Sequence, residues 1–397
     1  MSSNNKITYK NLMPLTIFFD LDETLLTTNL DRFLPLYFDL LGQALSHLGP
    51  SKKIAAQVDF AVRKMIANKN PAKTLREVFS ENFYPHLGTT EEACQPLLNT
   101  FYKDEYPKIK SVTQVKPGAA NLVDWCQSKG MQIAIATNPL FPHTATYQRI
   151  QWAGLDPNSF LLFTAFDDFH FTKPHLEYYA EIFGRIGWPE NPAVMIGDNI
   201  TDDLHPMNAF GFETFWIKPD NQADHWEGGN LSDARQWLKQ ILKNNGKTQL
   251  SDLLVDLAIL RATPAVLDTW LRAEPNWGPN IAKIPARSSL NEIISMFCML
   301  EEQVYPNLWQ DLQSRNINIT TNQDFTGSKI FPKQNYLKGK ETFERFLNAR
   351  LLFLDRVNEI NRTLQNEENE NAIQNLTKFI SWIASQDRKL LRKTVGL

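Results

Sequence analysis

The chain has 397 residues, 43% of them hydrophobic and 21% charged, with a formal net charge of −3. Such a length is a soft prior for two or three domains of ordinary globular composition. A charge this close to zero excludes broad electrostatic attraction to nucleic acid or an anionic membrane.

The three cysteines, Cys94, Cys126 and Cys298, are far apart and form no CxxC pair. That speaks against zinc ribbons and disulfide frameworks and fits a reducing compartment. The N-terminal MSSNNKITYKN lacks the apolar core of a signal peptide. No run reaches the roughly 18 apolar residues that a bilayer span needs. A cytoplasmic protein with no membrane and no nucleic-acid partner is therefore expected.

Residues 15–19 predict a short buried strand, ended by the acid pair of FFDLDETLL, Asp20 and Asp22. From about Leu30 to Tyr106 the spacing changes. FLPLYFDLLGQALSHLG, KKIAAQVDFAVRKMIA and EEACQPLLNTFYKDEY place apolar residues three and four apart, which predicts an all-helical insert.

Beyond Lys116 the pattern alternates. PGAANLVDWCQSKG predicts a helix with Pro117 near its start and Gly130 at its end. MQIAIAT, FLLFTAF, AVMIG and ETFWI predict strands, separated by the helical TATYQRIQWAG, HLEYYAEIFGRIG and DDLHPMNAFG. Apolar strands alternating with helices predict an α/β fold with a parallel sheet covered on both faces. Ligands of such sheets sit beyond the C-terminal strand ends.

LKNNGKTQLS, about 242–251, reads as a linker. Four long amphipathic stretches follow it, from DLLVDLAILRATPAVLDTWLRAE to NAIQNLTKFISWIASQDRKLLRKT, and predict an all-α four-helix bundle. Thr263–Pro264 reads as a helix cap followed by a first-turn proline, and Ser289-x-x-Glu292 as a capping box. No internal repeat is present.

Each predicted strand of the sheet delivers polar groups from its C-terminal end. Asp20 and Asp22 follow the first, Thr137 and Asn138 the second, and Lys173 the third. Asp198, Asp202 and Asp203 follow the fourth. Asp20, Asp198 and Asp203 offer hard anionic oxygens suited to Mg²⁺. A metal there offsets carboxylate repulsion and clamps a phosphate oxygen. The Thr137 hydroxyl and the Asn138 backbone N–H are donors to that phosphate, and Lys173 offsets remaining charge. Asp22, turned away by strand alternation, is free to protonate a leaving oxygen and then deprotonate water.

FFDLDETLL, IAIATNP, FTKP and MIGDNITDD resemble, in order, the four motifs of the haloacid dehalogenase (HAD) superfamily. The resemblance covers about 12–240. It implies a Rossmannoid sheet and a phospho-aspartyl intermediate. By that likeness Asp20 is nucleophile and Mg²⁺ ligand. Asp22 is the general acid/base and a metal ligand through its backbone carbonyl. Thr137 binds phosphate, Lys173 steadies the intermediate and Asp198 is the second metal carboxylate. Asp203 and Asp202 match two alternative spacings of an outer acid, and both stay open. Within the superfamily an aspartate at Asp22 implies a phosphatase, since a halide needs no protonation. The helical insert falls where the family places a C1-type cap. His170 stands where many relatives carry glycine and is expected to pack in its loop. His143 and His175 are expected to be structural or at the surface. Phe33, Tyr37 and Phe38 are expected in the cap's core rather than against a substrate.

Residues from about 250 resemble the DinB-like (DfsB/YfiT) helical bundles, on SLNEIISMFCMLEEQVYPNLWQDL, FERFLNARLLFLDRV and FISWIASQDRKLLRKT. That family implies a three-histidine metal site. Here the three positions are Met296, Gln386 and Leu390, and no histidine follows His225. The bundle is therefore expected to be degenerate and metal-free.

The resulting expectation is a hydrolase domain over 12–245 (core 12–28 and 112–245, helical cap 29–111) and a bundle over 250–397. Its function is Mg²⁺-dependent hydrolysis of a small phosphomonoester. Alternatives are phosphotransfer from the same site and a catalytically weak binding or regulatory protein. The bundle offers a surface for a homodimer.

Overall fold

The computed structural model describes residues 15–188, 191–219, 225–244, 252–273, 285–307, 339–366 and 369–395. The expected linker is accordingly described only to Asn244; 245–251 lie outside the described residues.

A parallel sheet organises the first half. Its strands are β1 (Thr16–Phe19), β4 (Gln132–Ile135), β5 (Ala193–Gly197), β6 (Glu213–Ile217) and the two-residue β7 (Gly228–Gly229), in the order β4-β1-β5-β6-β7. β1 pairs in parallel on both sides, Phe19 facing Ile135 and Ile196. Side chains alternate across such a sheet. Ile17, Phe19, Ile133 and Ile135 enter one hydrophobic core, and Phe18, Ala134 and Met195 enter another.

Chain 160–166 does not form the strand that FLLFTAF predicts; a single bridge joins Phe163 to Ile135. Leu161 and Thr164 donate to Ile133 and Ile135. Donors three apart meet acceptors two apart, so one extra residue bulges out of the edge and the ladder stops.

A hairpin of β2 (Leu26–Thr28) and β3 (Thr113–Val115) leads the chain out of the sheet and back. Between them lie the helices of the insert, α1 (Leu30–Ala44), α2 (Ser51–Ile66), α3 (Leu75–Phe83) and α4 (Glu91–Thr100). Their N-termini are locally specified: Asn29 and Thr90 cap α1 and α4, and Thr74 with Glu77 forms a capping box on α3. The other helices of this half are α5 (Ala119–Ser128), α6 (His143–Trp152), α7 (Leu176–Arg185), α8 (His205–Ala209) and α9 (Leu231–Asn244).

Among the described residues, the C-terminal region supplies four long helices, α10 (Leu253–Arg272), α11 (Arg287–Met299), α12 (Gly339–Asn366) and α13 (Glu370–Thr394). Two expected helix starts move. Asp252, not Thr263, caps α10, and Pro264 sits inside the helix. The proline leaves the Leu260 carbonyl without its helical donor. Arg350 Nη1 fills that place at 2.8 Å, while Thr263 donates to Asp387 at 2.7 Å. α11 begins at Arg287, so Ser289 lies within its first turn and no side chain caps it.

The core that contains Phe18 and Met195 runs without a break through α7 into α10–α13. α7 is consequently covered on all sides, and every residue from Glu177 to Arg185 is buried. Gly184 permits the close approach: a Cβ there would lie 2.5 Å from Val266 Cγ2 of α10.

Candidate active site

The register places the motif residues at one sheet edge. The Asp20 amide donates to the Ile196 carbonyl at 3.0 Å, and the Ala136 amide to the Phe19 carbonyl at 2.7 Å. Asp20, Thr137 and Asp198 thus leave three neighbouring strands side by side. Asp20 and Thr137 are buried, while Asp22, Asn138, Asp198 and Asp202 are half-buried.

Lys173 ties the edge together. Its Nζ donates to Asp20 Oδ1 at 2.7 Å and to Asp203 Oδ1 at 2.6 Å, with all three side chains nearly inaccessible. Asp203 Oδ2 accepts the Asn199 amide at 3.1 Å. Gly197 is required by this packing, because a Cβ there would lie 2.2 Å from Asp203 Oδ2. Asp202 does not reach Lys173 in the same way: its carboxylate accepts from Asn199 Nδ2 at 3.2 Å, and its carbonyl accepts the Tyr179 hydroxyl at 2.7 Å. Of the two candidate outer acids, Asp203 is the one bonded to the lysine.

Burial pushes Asp20 up to about 7, with Asp203 and Asp22 adding to the rise against the pull of Lys173. Burial and the charge of Asp20 likewise push Asp198 up to about 8. One lysine does not balance three acids. One oxygen from each of Asp20, Asp198 and Asp203 lies within 4.8 Å of the others. This all-oxygen, anionic donor set fits a hard divalent cation.

Asp22 faces elsewhere. Its Oδ1 accepts from Thr28 Oγ1 at 2.8 Å, and its Oδ2 is paired with Arg149 Nη1. Arg149 is 3% exposed and stacks over Phe141 at 4.7 Å. Sequence reasoning missed Arg149. It lies in the helix TATYQRIQWAG, and nothing local marks an arginine there as buried. Thr24 Oγ1 to Asp198 Oδ1 at 3.4 Å, and Trp216 Nε1 to the Asp198 carbonyl at 2.7 Å, were equally invisible. The Thr137 carbonyl accepts from Tyr178 and Thr164, and the buried Asn138 Oδ1 has no partner.

A cavity of about 640 Å³ lies between the inserted helices and the loop after β4, and its walls include none of Asp20, Asp22, Thr137, Lys173 or Asp198. Tyr37, Phe38, Phe79, Tyr102, Phe141 and Phe166 contribute to its walls. Phe33 and Tyr37 are core residues, both packed edge-on against Tyr106 and Phe141, and Phe38 packs half-buried beside them; Tyr37 and Phe38 also border the cavity. His143 stacks on Phe163 at 4.5 Å, and His175 bonds the Ile66 carbonyl at 3.0 Å. His170 is fully buried between two carboxylates, Glu181 at 2.9 Å and Asp268 at 3.0 Å, an ion cluster rather than simple loop packing.

Residues 15–211 match the haloacid dehalogenase-like hydrolase family, and this part of the chain is a hydrolase domain of that family. Pyrimidine 5'-nucleotidase PynA of Streptococcus pneumoniae is 25% identical over 215 residues, 53% of this chain and 86% of its own length. The ribulose-1,5-bisphosphate 5-phosphatase of Halopiger xanaduensis is 24% identical over 169 residues, 43% of this chain and 67% of its own. The HAD-hydrolase YfnB of Bacillus subtilis is 32% identical over 108 residues, 27% of this chain and 44% of its own. The structure of YfnB bound to magnesium covers 58% of this chain and 99% of its own, with a TM-score of 0.38 and 24% identity. Among the described residues, no helix is long and apolar enough to cross a membrane.

Proposed function

We propose that this protein is a Mg²⁺-dependent phosphatase that hydrolyses a small phosphomonoester through a phospho-aspartyl intermediate on Asp20. The observation that carries the reading is the bridge of Lys173 between Asp20 and Asp203, beside Asp198. Similarity to two relatives named for cleaving phosphate from a nucleotide and a sugar bisphosphate supports the reaction class.

Asp20 Oδ1 is held by Lys173, which leaves Oδ2 to attack phosphorus. The new O–P bond forms as the ester O–P bond breaks, and Asp22, its carboxyl turned from Thr28 and Arg149 toward the substrate and protonated, gives that proton to the leaving oxygen. Asp22 then takes a proton from water. That water attacks phosphorus, cleaves the Asp20 O–P bond and frees inorganic phosphate. The Thr137 hydroxyl and the Asn138 N–H donate to phosphate oxygens, and Lys173 balances negative charge throughout. Asp20 and Asp198 carboxylates with the Asp22 carbonyl would hold Mg²⁺, which when bound neutralises charge on phosphate and carboxylates.

We place the leaving group in the aromatic-walled cavity between the insert and the loop after β4, which favours an apolar body. The test is a phosphate-release screen of the full chain with Mg²⁺, including 2-phenylethyl phosphate against glycerol 3-phosphate. Turnover should require Mg²⁺, favour the phenylethyl ester and vanish in Asp20→Asn. Parent-rate turnover by that variant overturns the proposal.

For the C-terminal helices we keep the reading of a degenerate DinB-like bundle. Met296, Gln386 and Leu390 are all buried there, as an interior metal site would require, but they offer a thioether, an amide and an isobutyl group. None of these holds a divalent ion well.

A further inference from the structure

The sequence HLEYYAEIFGRIG reads as a surface helix with a polar stripe, because Glu177, Glu181 and Arg185 fall four apart. α10 covers that stripe. Arg261 of α10 pairs with Glu177. Thr269 Oγ1 accepts from Arg185 Nη2 at 2.9 Å. Asp268 Oδ2 lies 3.0 Å from His170 Nε2, whose other ring nitrogen lies 2.9 Å from Glu181 Oε1. Burying charges so deeply is costly unless each is paired in a fixed geometry.

His170 lies three residues before Lys173, and the whole intervening chain is buried. Three residues span at most about 10 Å. The segment is fixed at its start by every polar group His170 has. The His170 amide donates to Glu181 Oε2 at 3.1 Å, and its carbonyl accepts from Asn68 Nδ2 of the insert at 2.9 Å. Both ring nitrogens face carboxylates, so both donate and the ring is an imidazolium. Burial alone would lower its proton affinity, but Glu181 and Asp268 outweigh that and push it up to about 9. Around it stand Glu181 and Arg185 of α7, Asp268 of α10 with Arg272 at 2.6 Å, and Asp168 of its own loop, bonded to Arg185 at 2.6 Å.

We propose that Asp268 of the C-terminal region is a positioning residue for Lys173, acting through His170, so that α10 completes the hydrolase site. Without Asp268 the imidazolium Nε2–H is buried without its carboxylate. The ring must then turn or lose its proton, and the segment that aims Lys173 at Asp20 and Asp203 loses one of its four anchoring bonds, with the Glu181 and Asn68 bonds left to hold it. Only the kinetic consequence rests on the phosphatase reading; the anchoring of Lys173 does not.

The experiment measures acylation of Lys173 by an amine reagent in the full-length chain, quantified by peptide mass spectrometry. Lys173 should react slowly in the parent and at least about fivefold faster in Asp268→Ala, with Asp268→Asn in between because its amide oxygen still accepts from Nε2. Arg261→Ala, which breaks the neighbouring α10–α7 pair and leaves His170 untouched, should keep the parent rate. Phosphate-ester kcat should fall in the same order with little change in KM. Parent-rate labelling in Asp268→Ala overturns the proposal, as does equal acceleration in Arg261→Ala. Should Asp268→Ala fail to fold, Asp268→Asn decides: labelling at the parent rate overturns it. Accelerated labelling without turnover in any form, parent included, upholds the anchoring of Lys173 and rejects the phosphatase reading.

Discussion

Arg350→Met is expected to destabilise the C-terminal helices in a pH-dependent way. Arg350 is 0% exposed and donates to Asp387 at 2.7 and 3.1 Å, to Glu301, and to the Leu260 carbonyl at 2.8 Å. Removing one member of a buried ion pair costs about 3–5 kcal/mol. An unsatisfied buried carbonyl costs about 1–3 kcal/mol, and Pro264 guarantees that no helical N–H replaces the lost donor. The two costs share one side chain and do not add fully, so about 4–6 kcal/mol is expected. Burial, opposed by Arg350 and reinforced by Asp387, already pushes Glu301 up to about 7. Without the arginine it rises further. A carboxyl whose folded value exceeds its unfolded one lends stability at low pH and loses it as pH climbs through the folded value. The defect should therefore be largest at pH 8 and smaller at pH 5. Urea unfolding followed by tryptophan fluorescence reads it directly, since Trp270 and Trp382 are buried in these helices. Adding Glu301→Gln and Asp387→Asn should recover most of the loss. A deficit below about 1 kcal/mol at pH 8, or a larger one at pH 5, would refute the reasoning.

Gly184→Ala gains helix propensity of about 1 kcal/mol but drives a methyl into Val266, and overpacking of this kind costs about 1–3 kcal/mol. The variant should be net destabilised, and Gly184→Ala combined with Val266→Ala should be more stable than Gly184→Ala alone; the reverse order in thermal melts would sink the packing argument. In EDTA, the melting temperature should fall from pH 6 to pH 8.5, because Asp20 and Asp198 are raised to about 7 and about 8 and their stabilising protonation is lost over that range. Millimolar Mg²⁺ should flatten that slope; an unchanged slope would argue against a cation among these acids.

Residue pattern was enough to set the alternation of strands and helices, the helical insert and the order of the strand-end motifs. These are local properties: periodicity, capping residues and acids that interrupt apolar runs. It also singled out Asp20 and Asp198, because a parallel sheet sends the ends of its strands to the same edge; it named Lys173 after a strand that does not form, and it left Asp202 and Asp203 open as alternatives. What the edge segment 160–166 would do was not legible, since one extra residue undoes a ladder without changing its apolar pattern.

What covers α7 emerges only once the chain is folded. Its Glu177, Glu181 and Arg185 look like solvated residues until α10, more than sixty positions later, brings Arg261, Asp268 and Thr269 onto them. Arg149 on Asp22 and Arg350 under Pro264 belong to the same class. Each charge is buried by contacts made far along the chain, and burial of that kind leaves no periodic trace in the residues beside it.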